Sequence, residues 1–226
     1  VSSGAGTNTI TLSDAGSANA VVGIENYILS SAGANSFTMA ADTLTVVGGT
    51  DADNIVGGSG NSTITGGAGA DQLRGNGGED IFVFNTLDSG LTGNTADVIV
   101  DFAVGVDTMK FFSDDLGGDA FTAEDLVVAD GRLMIFGELT GGVYDAGSFL
   151  DRADDYFAGT GGAGSDEAAD IYAVYNGAGK GETWLAADMN NSGSLDAGDI
   201  LLVMQGLNTA VNTIDFDDIL VAPIPA

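Results

Sequence analysis

The chain has 226 residues, a formal charge of −28 with only five Lys plus Arg, 36 Gly, no Cys and no His. A compact state so charged repels itself unless cations relieve it, and it lacks the basic patches that nucleic acid or an anionic membrane surface requires. The missing His and Cys remove the commonest general base, thiol catalysis and most zinc ligands, while the longest aliphatic stretch near the C-terminus, Ile200 to Met204, is far too short to span a bilayer.

The chain opens at Val1 with no methionine and no charged-then-apolar leader, as expected for a processed or truncated piece of something longer. Residues 1–47 are rich in Ser, Ala, Gly, Thr and Asn, with short β-prone pieces at Thr9 to Leu12, Tyr27 to Leu29 and Leu44 to Val47. They read as a degenerate solenoid lead-in or an assembly segment. They contain neither Lys nor Pro, the residues that usually block an exposed sheet edge.

From Gly48 to Phe84 the sequence repeats every nine residues: GGTDADNIV, GGSGNSTIT, GGAGADQLR and GNGGEDIFV, starting at Gly48, Gly57, Gly66 and Gly75. The sixth position reads Asp53, Ser62, Asp71, Asp80 and the eighth reads Ile55, Ile64, Leu73, Phe82. Val46, Phe37 and Ile28 continue the apolar frame backwards, so a solenoid is expected to begin before the glycines do. Glycine turns without a Cβ penalty bring carbonyl oxygens inward, and a carboxylate at position six adds charge; hard oxygen donors of this kind suit Ca²⁺. Asp51 and Asp42 stand where position four would be glycine.

This pattern resembles the RTX calcium-binding nonapeptide. The resemblance implies an all-β fold, a parallel β-roll or β-solenoid with Gly/Asp calcium turns, in which two units make one coil and turns eighteen residues apart share a cation. That pairs Asp53 with Asp71 and Ser62 with Asp80, the first pair being the stronger because Ser62 lacks a carboxylate; Asn35 would lend a neutral oxygen to a weaker site. The implied metal residues in the turns are Asp51, Asp53, Gly57, Asn61, Ser62, Gly66, Asp71, Gly75, Asn76 and Asp80.

Residues 85–226 lose the period and read as short strands between Gly, Asp and Asn turns: Val98 to Phe102, Leu133 to Phe136, Ile171 to Tyr175 and Ile200 to Met204. A β-rich, sandwich-like cap over the roll is expected, since a solenoid end otherwise exposes unpaired edges. The stretch NTADVIVDFAVGVDTMKF resembles the segment that follows the last repeat in RTX proteins, which adds Asp97, Asp101 and Asp107 as metal candidates. The alternative is an amphipathic strand with Val98, Val100 and Phe102 on one face and Asp97, Ile99 and Asp101 on the other.

DMNNSGSLDAGD, residues 188–199, has the oxygen spacing of an EF-hand loop. Its candidate ligands are Asp188, Asn190, Ser192, Ser194, Asp196 and Asp199, with Gly193 at the bend. A dockerin-type module is the competing reading, but Trp184 to Ala187 and Ile200 to Met204 look like the strands of a hairpin. The tail TIDFDDILVAPIPA resembles the C-terminal export signal of type I secretion substrates, over about residues 210–226; an edge strand closing the domain would look the same.

The expected function is a calcium-binding extracellular or cell-surface structural module of a type I secreted protein: surface layer, sheath or adhesin. Its expected cofactor is Ca²⁺, several ions. Its partners would be copies of itself or an upstream part of the same protein, and the secretion apparatus. No catalysis is expected. The alternative is the secretion and folding tail of an exported protease, lipase or epimerase whose catalytic part lies upstream; an upstream H-E-x-x-H or G-x-S-x-G would then be present.

Overall fold

The computed structural model describes residues 9–13, 16–20, 24–29, 33–39, 44–92, 94–112, 133–136, 171–176, 182–189, 194–205 and 219–222. All sixteen described elements are strands. The first nine are β1 (Thr9–Leu12), β2 (Ser17–Asn19), β3 (Asn26–Leu29), β4 (Ser36–Thr38), β5 (Thr45–Val47), β6 (Asn54–Val56), β7 (Thr63–Thr65), β8 (Gln72–Arg74) and β9 (Ile81–Asn85). They alternate between two parallel sheets, odd strands in one and even strands in the other. One nine-residue unit therefore makes one short strand and one turn, and two units close a coil.

The three-residue strands β4 to β8 are short because each sends one apolar residue, its middle one, into the core. Val46, Ile64 and Phe82 point in from one sheet, Phe37, Ile55 and Leu73 from the other, and all are essentially inaccessible. Each such side chain contributes about 1.5–3 kcal/mol by leaving water. Stacking in register repeats the contribution at every coil: Val46 lies beside Ile64 and Ile64 beside Phe82, as Phe37 lies beside Ile55 and Ile55 beside Leu73.

Ile28 departs from the expected frame. Val46 pairs with Tyr27, and Ile28 pairs with Val47 on the outer face, where both are exposed. The coil between them is one residue longer than the repeat, and a one-residue slip turns every side chain to the opposite face. Tyr27 and Leu29 therefore enter the core, with the Tyr27 ring 4.7 Å from Phe37.

The parallel ladder also outlasts the period. β10 (Asp97–Ile99) pairs with β8, setting Ile99 beside Leu73, and β11 (Thr108–Phe112) pairs with β9, setting Met109 beside Phe82. Ile99 and Phe102 are buried while Val98 and Val100 are half-exposed. The amphipathic assignment that put the valines with Phe102 and Asp97 on the outside is thus overturned: Asp97 is fully buried and Ile99 supplies the core residue.

Beyond β10, the second sheet closes with β15 (Ile200–Gln205), β14 (Glu182–Ala187), β13 (Ile171–Asn176) and β12 (Leu133–Phe136). β15 joins β10 in parallel, whereas β14 runs antiparallel to both of its neighbours, β13 and β15. β16 (Ile219–Ala222) is the edge strand beyond β11 in the first sheet. Ile219, Leu220 and Val221 of the suspected export signal thus lie in an edge strand; Asp215, Asp217, Asp218 and both prolines lie outside the described residues.

Candidate metal centre

Glycine at position one lets consecutive coils stack almost backbone on backbone. A Cβ on Gly48 would collide with the Gly66 carbonyl oxygen, and one on Gly57 with that of Gly75. At position two, Gly67 holds φ +89°; the last unit puts Asn76 there at +66°, a conformation that Asn tolerates better than most residues.

These turns bury the position-six side chains and stack them in two rows. In the first row each carboxylate reaches back to the coil before it: Asp53 Oδ1 accepts the Asn35 N–H at 2.7 Å, Asp71 Oδ1 that of Asp53 at 2.7 Å, and Asp97 Oδ1 that of Asp71 at 2.8 Å. In the second row Asp80 Oδ1 accepts the Ser62 N–H at 2.8 Å and Asp107 Oδ1 that of Asp80 at 3.0 Å. The eighteen-residue pairings Asp53–Asp71 and Ser62–Asp80 are both present as stacked neighbours.

The second oxygens separate these residues. Asp71 Oδ2, Asp80 Oδ2 and Asp97 Oδ2 are buried without any hydrogen-bond partner. Asp71 Oδ2 and Asp80 Oδ2 sit against Gly66 and Gly75, in spaces that a Cβ would fill. Asp53 Oδ2, in contrast, accepts the Gly49 N–H at 2.7 Å, and Asp107 Oδ2 that of Ala103 at 2.8 Å. A buried carboxylate oxygen with no donor is costly unless a cation meets it. No three acidic side chains converge on one point among the described residues, so turn carbonyls must complete any donor set. That mixture of carboxylate and carbonyl oxygen fits Ca²⁺. When bound, the ion supplies the positive charge the rows lack; the chain's own part is to hold the oxygens in place.

Burial also pushes the carboxyls up: Asp97 to about 9, helped by the charge of Asp71, Asp71 to about 7 and Asp80 to about 6. Groups with raised folded-state values favour the metal-free fold below the ordinary carboxylate range, and that contribution is lost as pH rises through about 6 to 9. The chelated protein should therefore resist urea better at pH 5 than at pH 8, and calcium should bind more tightly as pH rises over the same window. The β-sheet circular dichroism that the chelated chain keeps at the two pH values, with urea titration wherever it is folded, checks this; equal or greater metal-free structure at pH 8 refutes it.

Several other candidates are committed elsewhere. Asp51 Oδ2 accepts the Gly33 N–H at 2.5 Å, Asn61 Oδ1 that of Glu79 at 2.9 Å, and the Asn76 amide donates to the Gly57 carbonyl at 2.5 Å. Asp101 accepts the N–H groups of Gly75 and Asn76 at 2.9 and 3.0 Å and pairs with Arg74 at 3.5 Å. Asn35 turns its amide nitrogen, rather than its oxygen, toward Asp53 at 2.9 Å, so it closes the first row with donors where a neutral ligand was expected. Ser89 was not anticipated. Its hydroxyl accepts the Asp97 N–H at 2.7 Å and donates to the Leu201 carbonyl at 2.6 Å, which closes the other end of that row.

In the 188–199 loop, Asp188 and Asp199 are buried. Asp199 accepts the Met189 N–H at 2.8 Å and the Asp196 N–H at 2.6 Å, while Asp196 accepts from Gly198 at 2.9 Å. Burial raises the Asp199 carboxyl to about 6. Ser194 is half-buried, and Asn190, Ser192 and Gly193 lie outside the described residues. The flanks β14 and β15 form an antiparallel hairpin, not the helix pair of a dockerin.

The rows rank two substitutions. Asp71→Ala removes an unpartnered carboxylate oxygen and strands the buried Asp53 N–H, a loss of about 2 kcal/mol or more. Ser62→Ala removes no formal charge, only a hydroxyl that is bonded to the Gly60 carbonyl at 3.2 Å and also favours the charged form of Asp80. In a calcium titration followed by circular dichroism, Asp71→Ala should move the folding midpoint at least several-fold further than Ser62→Ala; equal midpoints refute the assignment.

Residues 47–82 match the RTX calcium-binding nonapeptide repeat, in four copies. No curated protein matches the chain. No helix among the described residues is long and apolar enough to cross a membrane.

Proposed function

We propose that this RTX-type repeat protein is an extracellular structural module that folds when it meets calcium outside the cell and then assembles on a cell surface, as part of a surface layer, sheath or adhesin. The observation that carries the calcium switch is the set of buried, donor-less carboxylate oxygens on Asp71, Asp80 and Asp97. Extracellular calcium modules bind at about 10⁻⁴ to 10⁻³ M, so the low calcium of a cytosol leaves the chain unfolded for a type I exporter and the outside medium folds it. Each site at about ten times its dissociation constant contributes roughly 1.4 kcal/mol, and several sites decide whether the fold exists. The chain has no catalytic role in this reading.

Assembly is supported by the end of the roll as the described residues show it. β1 and β2 are the edge strands of their two sheets, and the inward residues of that first coil, Ile10, Leu12 and Ala18, are only partly buried. A further coil of the same protein, or a second copy, would cover them, and bound calcium would reduce the repulsion between like-charged chains. Light scattering in millimolar calcium should report oligomers or larger arrays, lost in a Thr11→Lys/Asn19→Lys variant that places charge on the two exposed edges. A monomer at high concentration in both cases would displace the surface-array reading in favour of the tail of an exported enzyme, which the precursor sequence would then identify.

A further inference from the structure

The coil that follows the repeats contains a turn of the same construction, hidden in the sequence by an insertion. Gly69 and Ser89 form a parallel bridge. Two residues before each of them, Gly67 and Leu87 both hold positive φ, +89° and +71°. The third repeat runs directly from Gly69 to Asp71. The following coil instead detours through a short loop, in which Thr95 and Ala96 donate to the Thr92 carbonyl at 2.8 Å, before it delivers Asp97 to the rung beside Asp71.

The rung is built but electrostatically incomplete. Asp71 and Asp97 are both at most 1% exposed, and each keeps one buried oxygen without a partner. On the preceding rung both Asp53 oxygens already accept hydrogen bonds, from Asn35 and from Gly49. The basic residues of the described part are occupied elsewhere, Arg74 with Asp101 and Lys110 over the Phe112 ring. Asp88, half-buried on the same hidden turn, adds charge but no cation. Among the described residues, no cation balances the pair.

We infer that the space between the turn 66–71 and the turn 86–97 is a divalent-cation site that extends beyond the nonapeptide repeats, held by Asp71 Oδ2 of the third repeat, Asp97 Oδ2 of the following coil and turn carbonyls, and filled before the Asp53–Asp71 rung. This rests on the reading that the repeat turns bind calcium. The site also ties the roll to its closing hairpin, because Asp97 hands its N–H to Ser89 and Ser89 hands its own hydrogen to Leu201 in β15.

Calcium titration of the whole chelated chain, with ions counted by equilibrium dialysis, tests the assignment. Asp97→Asn should lose one ion, the tightest, and raise the folding midpoint about tenfold. Asp101→Asn, four residues on and fully engaged with donors, should keep the ion count. Should Asp97→Asn fail to fold, anomalous diffraction from wild-type crystals soaked in Tb³⁺ decides: an ion within about 2.3–2.6 Å of Asp97 and Asp71 oxygens supports the site. An unchanged ion count and midpoint in Asp97→Asn, or ions in the repeat turns with none at Asp97, overturns it. A wild-type chain that binds no ion anywhere overturns the calcium reading itself.

Discussion

Chelation at neutral pH is expected to cost the chain most of its β-sheet circular dichroism, and calcium is expected to restore it between about 10⁻⁴ and 10⁻³ M. The cause lies in two opposing terms. Burial of the apolar rungs favours the coil stack, but stacking also brings Asp53, Asp71 and Asp97 into one row, with Asp80 and Asp107 in the other, in a protein whose formal charge is already −28. Without cations, the row must either hold protons or remain charged and dry, and neither is favourable at neutral pH. Magnesium should restore far less of the signal, because its octahedral demand and reluctance to shed water suit a cage of turn carbonyls poorly. A spectrum indifferent to chelator would remove the basis of the calcium switch.

Gly48→Ala is expected to be nearly as damaging as removal of the metal. The added methyl would meet the Gly66 carbonyl oxygen of the neighbouring coil, which is backbone and cannot swing away. The coils must part locally, at a cost of about 3 kcal/mol, and the turn that carries Asp53 moves with them. Gly77→Ala makes the contrast. Its nearest neighbour would be the Ser59 Cα at 3.7 Å, an ordinary contact, so stability should change by no more than about 0.5 kcal/mol. Calcium-dependent folding midpoints of the two variants measure the difference. If they fold alike, the close stacking at position one is wrong.

What the sequence made legible was everything that obeys the nine-residue period. The position-eight residues from Phe37 to Phe82 face the core, and the eighteen-residue pairings stack as expected. The period failed where a single insertion shifts the frame, although the resemblance of the segment after the last repeat had still pointed to Asp97. Ile28 fell on the outer face because its coil has one residue more, and Asp97 escaped the frame because six residues intervene between Gly90 and the end of its turn. Periodicity carries no information about such insertions, since the strand on either side keeps its pairing while the turn absorbs the excess. The second oxygens were beyond sequence as well. That Asp53 is fully bonded while Asp71 is not depends on Asn35 and Gly49, whose roles follow from coil geometry and not from residue type.

The rows have a polarity that bears on how the chain can be shortened. Every carboxylate serves the amide of the coil before it, so removing coils from the N-terminal side leaves the remaining amides with their acceptors: Asp53 still donates to Asp71, and Asp71 to Asp97. Trimming from the other side strands a buried donor at each row, first at Asp71 and Asp80, whose acceptors are Asp97 and Asp107. An orphaned buried amide costs about 1–3 kcal/mol. The roll is therefore a stack that can be unpicked from one end with its inner bonding intact, whereas a cut at the other end opens it.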